Sequence, residues 1–130
     1  MTENEISRVI VDAAVEVHRT LGGPGLLESV YEEALAFELD LRGFKVERQK
    51  ELPVVYKGIH LGGRFRLDLL VEEKVIVECK AAQEDNPLFE AQLLTYLRLM
   101  DLRLGLVVNF GKILVKDGIH RVANSLQETH

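Results

Sequence analysis

Three charged residues interrupt stretches that otherwise read as protein core. Asp68 stands between Leu67 and Leu69, and Glu78 and Lys80 close the run that begins Val75-Ile76-Val77. In an extended strand alternate side chains share a face, so Glu78 and Lys80 point one way and Cys79 the other. Glu72-Glu73-Lys74 has the composition of a tight turn, and a hairpin closed there brings Asp68 back beside Glu78. One carboxylate from each strand and one ammonium then converge. Two carboxylates, with a third oxygen from the carbonyl of Cys79, suit Mg²⁺, a hard cation that takes oxygen ligands and keeps several waters. Such an ion polarises a phosphoryl oxygen and lowers the pKa of a bound water. An ammonium at Lys80 can orient that water or stabilise charge in the transition state. Unpaired charge is costly among apolar neighbours, so the interruption calls for a partner. The same residues also fit a plain salt bridge between Glu78 and Lys80 on a half-exposed strand, and spacing alone leaves both readings open.

The elements that must position these groups can be read in order. Thr2 and Glu5 make a capping box, and Ile6, Val9, Ile10, Ala13 and Val17 then follow one helical face. Gly22-Gly23-Pro24-Gly25 ends that helix. A second helix is expected over 26–42, with Leu27, Val30, Tyr31, Ala34, Leu35 and Leu39 as its apolar stripe and Gly43 as its stop. Strands are expected from Phe44 and Val46, over 52–56, over 64–71 and over 75–80, with Lys57-Gly58 and Gly62-Gly63 as turns. Pro87 suits the first turn of a third helix, which runs to about Met100. The apolar run 104–108 reads as a strand covered on both faces. Strands over 113–115 and 119–122 flank Asp117-Gly118, a hairpin signal. From Ser125 the chain has nothing to bury, so 125–130 should fray. The order predicted is α-α-β-β-β-β-α-β-β-β. This is an α/β (α+β) fold, a mixed β-sheet flanked by helices, in one domain over 1–130.

Composition narrows the class. The 130 residues are 47% hydrophobic and 28% charged, as in globular proteins. No apolar run approaches the ~20 residues needed to cross a bilayer. The start, Met1-Thr-Glu-Asn-Glu, is acidic and lacks the layout of a secretory signal, and the single cysteine cannot form an internal disulfide. A cytoplasmic setting follows as the expectation. The net charge of −5 argues against a general nucleic-acid coat protein. The segment 42–66 nevertheless carries seven basic residues against two acidic ones. That segment could form a face for a phosphate backbone, or its charges could simply alternate into water.

The arrangement Leu67-Asp68 followed by Glu78-Cys79-Lys80 resembles the D…(D/E)-x-K signature of the PD-(D/E)XK nuclease superfamily. Gly25-Leu26-Leu27-Glu28-Ser29-Val30-Tyr31 resembles the motif of its bacterial GxxExxY branch. The likeness extends to Val17-His18-Arg19, to Gly62-Gly63-Arg64-Phe65-Arg66, to Glu90-Ala91-Gln92-Leu93-Leu94-Thr95-Tyr96-Leu97 and to Asn109-Phe110-Gly111, from about residue 5 to 124. The resemblance implies a restriction-endonuclease-like core. It implies a helix-borne acid at Glu28, metal-binding acids at Asp68 and Glu78, and a catalytic lysine at Lys80. Gln92 and Tyr96 match a pair on the following helix; four residues apart, they share a face. Cys79 departs from the apolar residue common at its position, but that position faces the core and leaves the metal site intact.

The expected activity is hydrolysis of phosphodiester bonds, of DNA before RNA, with Mg²⁺ or Mn²⁺ held by Glu28, Asp68 and Glu78. Arg64 and Arg66 are the candidate phosphate contacts, with Arg66 preferred because it lies two residues from Asp68. The alternative is a nuclease-fold accessory protein that binds nucleic acid or a partner without cutting. One site cuts one strand, so a homodimer is compatible with action on a duplex. Other residues carry less. Cys79 reads as a small buried hydrophobe, and the four histidines lack zinc-ligand spacing. The glycine run lacks the Gly-Lys-Ser/Thr of a phosphate loop. Tyr31 reads as core, or as a hydroxyl offered to Glu28.

Overall fold

The spacing of Thr2 and Glu5 forms a reciprocal cap. The Glu5 N–H donates to the Thr2 hydroxyl, and the Thr2 N–H donates to the Glu5 carboxylate. In the computed structural model, which describes residues 1–62 and 65–125, this first helix, α1, covers Glu3–Leu21 and ends on Gly22 at φ 95°. The second, α2, covers Glu28–Leu41 and has no side-chain cap, because Leu27 occupies the cap position. Tyr31 secures that start instead. Its hydroxyl donates to the Gly23 carbonyl at 2.6 Å and accepts from the Leu26 N–H at 3.1 Å. The ring is fully buried and stacked on Phe110, with centroids 4.7 Å apart. Tyr31 is thus core, and its hydroxyl serves the glycine turn rather than Glu28.

The remaining elements are β1 (Val46–Leu52), β2 (Val55–Tyr56), β3 (Ile59–His60), β4 (Phe65–Val71), β5 (Val75–Lys80), α3 (Pro87–Met100), β6 (Leu104–Asn109), a 3₁₀ turn (Val115–Gly118) and β7 (Ile119–Ala123). Asn86 caps α3 through the Leu88 N–H, and Pro87 fills its first turn. Five strands form one sheet in the order β1-β4-β5-β6-β7. β5 and β6 run parallel, joined through α3, and the other neighbours are antiparallel. α1 and α2 pack with Leu69, Val71, Val75, Val77, Leu104, Leu106 and Val108. α3 packs with Leu67, Leu70, Ile76 and Val107. Helices therefore cover both faces, which is why β5 and β6 are apolar on both. The mixed sheet flanked by helices agrees with the expected α/β architecture.

Two expectations fail locally. The 52–56 strand is not one element: Leu52 ends β1, and Val55–Tyr56 pairs with Ile59–His60 in a separate hairpin. Lys57 and Gly58 at its tip have φ of 48° and 81°, the signs a two-residue hairpin turn favours. The strand over 113–115 and the hairpin at Asp117-Gly118 are absent too. A 3₁₀ turn stands there, and β7 pairs antiparallel with β6. Gly118 serves a close approach, since a Cβ on it would lie 2.4 Å from the Asn109 carbonyl oxygen. The order becomes α-α-β-β-β-β-β-α-β-β. Gly63, Arg64 and 126–130, most of the expected frayed tail, lie outside the described residues.

Gly111 gives a direct check on how β6 meets the segment after β5. A Cβ there would sit 2.2 Å from the Ala82 carbonyl oxygen, whereas one on Gly62 would meet nothing within 4 Å. Gly111→Ala should cost roughly 1–3 kcal/mol by overpacking. Gly62→Ala should stay within about 0.5 kcal/mol. Thermal unfolding of both variants measures this, and equal melting temperatures would contradict the close approach.

Candidate active site

The hairpin between β4 and β5 forms at the expected turn, with Leu69, Leu70 and Val71 opposite Val77, Ile76 and Val75. Glu72 and Glu73 adopt φ of 54° and 57°, an unfavourable region for residues with a Cβ. Lys45 steadies both: its N–H donates to the Glu72 carboxylate at 2.8 Å, and its ammonium pairs with Glu73.

Beyond Leu69 and Val77 side chains take over from the backbone ladder. The Asp68 N–H donates to Glu78 Oε2 at 2.8 Å, and the Cys79 N–H donates to Asp68 Oδ2 at 2.8 Å. Each carboxylate thus accepts from the backbone of the other's strand, and the two acids are neighbours in the gap between strands. The kink extends into β1. Gln49, at φ 51°, lies opposite Asp68, while Arg48 and Lys50 on either side remain in register with Leu69 and Leu67. Leu67 joins the α3-side cluster and Leu69 the α1–α2 cluster, so the alternation of faces breaks at Asp68.

Burial raises both acids, and neighbouring carboxylates add to the rise. Burial first, and then the Asp68 charge, push Glu78 up to about 8. Burial also pushes Asp68 up to about 6, against the Cys79 N–H, with the Glu32 carboxylate adding to the rise. Lys80 acts in the other direction on Glu78. Its ammonium lies 4.9 Å from the centroid of the Phe89 ring on α3, and it forms no ion pair among the described residues. A plain Glu78–Lys80 salt bridge is therefore not the arrangement found.

Glu28 is exposed at the first residue of α2 and reaches Asp68 only through its charge. The acid that α2 buries is Glu32, one turn on and 5% exposed. Glu32 accepts from Arg48 Nη2 at 3.1 Å and from Gln49 Nε2 at 2.7 Å, and Gln49 Nε2 lies 3.4 Å from Asp68 Oδ1. Sequence reasoning missed Glu32, although it falls on the same face as Leu35 and Leu39. Tyr96 is buried on α3 with the exposed Gln92 against its hydroxyl; burial, Glu78 and Asp68 all push its pKa up. Arg66 is exposed and donates to the Gln49 carbonyl at 3.3 Å, and the break in alternation at Asp68 means that two-residue spacing does not place it on the Asp68 face; Arg64 lies outside the described residues.

The basic segment is largely neutralised from within. Arg42 pairs with Glu38, Lys45 with Glu73, Arg48 with Glu32 and Lys50 with Glu47. A second missed group holds the chain beyond Lys80. Fully buried Asn109 accepts from the Ala82 and Gly111 N–H groups, each at 3.0 Å, and donates to Asp85 at 3.0 Å. Asn109 and His120 hold the Asp85 carboxyl below its ordinary value.

Among the described residues no three His, Cys, Asp or Glu side chains are placed to hold a metal ion. The pair that is assembled still fits a hard divalent cation. It offers carboxylate oxygens, it is crowded enough to hold protons, and Mg²⁺ commonly takes one or two carboxylates. Among the described residues no helix is long and apolar enough to cross a membrane. Residues 4–122 match the family model of the PD-(D/E)XK nuclease superfamily. No curated protein and no solved structure matches the chain.

The raised acids predict a stability that falls with pH. Glu78 binds its proton more tightly folded than unfolded, so the folded state holds more protons between the ordinary carboxyl pKa and about 8. That contribution is complete below about pH 4 and is lost as pH rises through the folded value. In chelator, the wild type should lose on the order of 2–4 kcal/mol relative to Glu78→Gln between pH 4.5 and 8.5. Denaturant unfolding of both proteins across that range measures the difference. Parallel pH profiles would contradict the crowded pair.

Proposed function

This chain belongs to the PD-(D/E)XK nuclease superfamily, and on that basis we propose that it hydrolyses phosphodiester bonds of nucleic acid, DNA before RNA, with Mg²⁺ or Mn²⁺ at Asp68 and Glu78. The observation that carries the reading is the crossed pair of carboxylates in the opened β4–β5 gap, both raised chiefly by burial, with the Lys80 ammonium acting on Glu78. The GxxExxY motif around Glu28 and Tyr31 supports assignment to that branch.

When bound, the metal supplies Lewis acidity to a phosphoryl oxygen and a more acidic bound water. Asp68 and Glu78 bind it, and the backbone N–H groups they accept from fix their orientation. Lys80, held over Phe89, stabilises negative charge developing at phosphorus and orients the attacking water. Gln92 and Tyr96 face the pair from α3 and position the substrate. Arg66 contacts a phosphate beside the reacting one. Glu28, exposed at the start of α2, completes the acid set on the substrate side, while Glu32 stays engaged with Arg48 and Gln49. The described residues hold one such pair, so cutting both strands of a duplex calls for two copies or two visits.

A mixed panel of single- and double-stranded DNA and RNA, with Mg²⁺, Mn²⁺ or chelator, tests the activity. Metal should raise the melting temperature of the wild type by mass action and leave Asp68→Asn unmoved. Lys80→Ala should keep that metal-dependent rise and lose on the order of 10²-fold or more in turnover. Glu78→Gln should lose both. Arg66→Ala should weaken binding and reduce its salt slope by about one phosphate contact. Protein that binds metal yet leaves the whole panel uncut would establish the accessory, non-cutting reading instead.

A further inference from the structure

The α2 helix carries a second apolar stripe that the fold leaves largely exposed, with only Ala34 packed partly against the core. Leu27, Val30, Ala34, Phe37 and Leu41 follow one another at spacings of three and four residues. At about 100° per residue the four helical members, Val30 to Leu41, fall within an arc of about 60°, with the cap residue Leu27 just ahead of them. This is the a/d pattern by which one helix receives another. Tyr31, Leu35 and Leu39, on a different face of the helix, already fill the core. The outer stripe remains open: Leu27 is 74% exposed, Phe37 64% and Leu41 65%. Ala34 and Phe37 also line a hollow of about 220 Å³ between α1 and α2, with Val17, Thr20 and Leu21 on the α1 side.

The rim of this stripe is acidic. Glu33 and Asp40 flank it along one edge, both exposed and, among the described residues, without an ion-pair partner. Glu16 and Glu38 stand on the other side of the hollow, and each already pairs with its own arginine, Arg19 and Arg42. A second copy of this chain would set acid against acid along the seam. The complementary occupant is an amphipathic helix with apolar residues at a and d and lysine or arginine beside them.

We infer that the exposed face of α2 is the docking site for a cationic amphipathic helix of a partner protein, seated on Leu27, Val30, Ala34, Phe37 and Leu41 and paired with Glu33 and Asp40. The inference does not rest on the nuclease reading, because neither the stripe nor its acidic edge uses Asp68, Glu78 or Lys80.

The test uses the full chain and two synthetic helical peptides of three heptads, at concentrations where each is monomeric. Both have leucine at a and d; one has lysine at the flanking e and g positions, the other glutamate. Calorimetric titration should show one-to-one binding of the lysine peptide, at least tenfold tighter than the glutamate peptide and weakened by salt. Phe37→Gln with Leu41→Gln, both at exposed positions, should lower that affinity at least tenfold while leaving the melting temperature unchanged. Glu33→Lys with Asp40→Lys should reverse the preference between peptides. Equal binding of the two peptides, no binding of either, or affinity indifferent to the Phe37/Leu41 pair would overturn the proposal. So would sedimentation showing that the chain dimerises through this face and that the same pair of substitutions dissolves the dimer.

Discussion

Two like charges cannot sit unshielded in a closed sheet, and the local structure around Asp68 and Glu78 follows from that constraint. The β4–β5 ladder gives way where the two acids meet, and each carboxylate takes a backbone N–H from the opposite strand. Those bonds favour the charged forms, whereas burial, the Asp68 charge acting on Glu78 and the Glu32 charge acting on Asp68 favour the protonated ones. Burial and repulsion win, and both acids are raised. A gap that holds a proton on Glu78 at neutral pH is also a gap whose charge a small divalent cation can offset. The same feature accounts for an apparent defect in the sheet and for its fit to a hard cation.

The rest of the fold supplies rigid walls for that gap. β5 and β6 are apolar on both faces because helices cover both, so Glu78 leaves the end of a strand anchored by Val75, Ile76 and Val77. Lys80 is fixed from the far side as well. The Phe110 N–H donates to its carbonyl at 2.8 Å, and Asn109 ties Ala82, Gly111 and Asp85 together just beyond it. These buried hydrogen bonds hold an irregular segment that has no ladder of its own. Tyr31 does the same for the glycine turn ahead of α2. Its stacking on Phe110 links that turn to the end of β6.

Asp68, Glu78 and Lys80 were legible because the rules that place them are local. A hairpin turn at Glu72 to Lys74 is enough to set the acids opposite one another, although the two-residue period expected of β4 breaks at Asp68. Glu32 was not legible beside Glu28. The two acids are one helical turn apart on nearly the same face, and only the way α2 lies on the sheet decides which is buried. The kink at Gln49 was hidden for a related reason, since its cause is the carboxylate opposite on another strand. Asp117-Gly118 misled because the same glycine serves a tight turn or a close approach. Here it is the approach to Asn109 that excludes a Cβ. The basic segment was legible as a count but not in its pairing, because its acid partners come from α2, the hairpin turn and β1 itself.

That pairing changes how charge substitutions in this protein should be understood. Arg48 neutralises Glu32, Glu32 holds Gln49, and Gln49 reaches Asp68. Removing Arg48 would leave a carboxylate that is 5% exposed without its counter-charge, beside two acids already crowded. The first effect would fall on the proton affinity and geometry of Asp68, not on a contact with substrate. Lys45 is similar, since it steadies the turn that sets the β4–β5 register. Arg66 differs, because its contact is with a backbone carbonyl and it neutralises no acid among the described residues. Among the described cations of this segment it is therefore the one near Asp68 whose charge is still available to a phosphate. A loss of binding on its removal reports on substrate more directly than the same loss at Arg48 or Lys45.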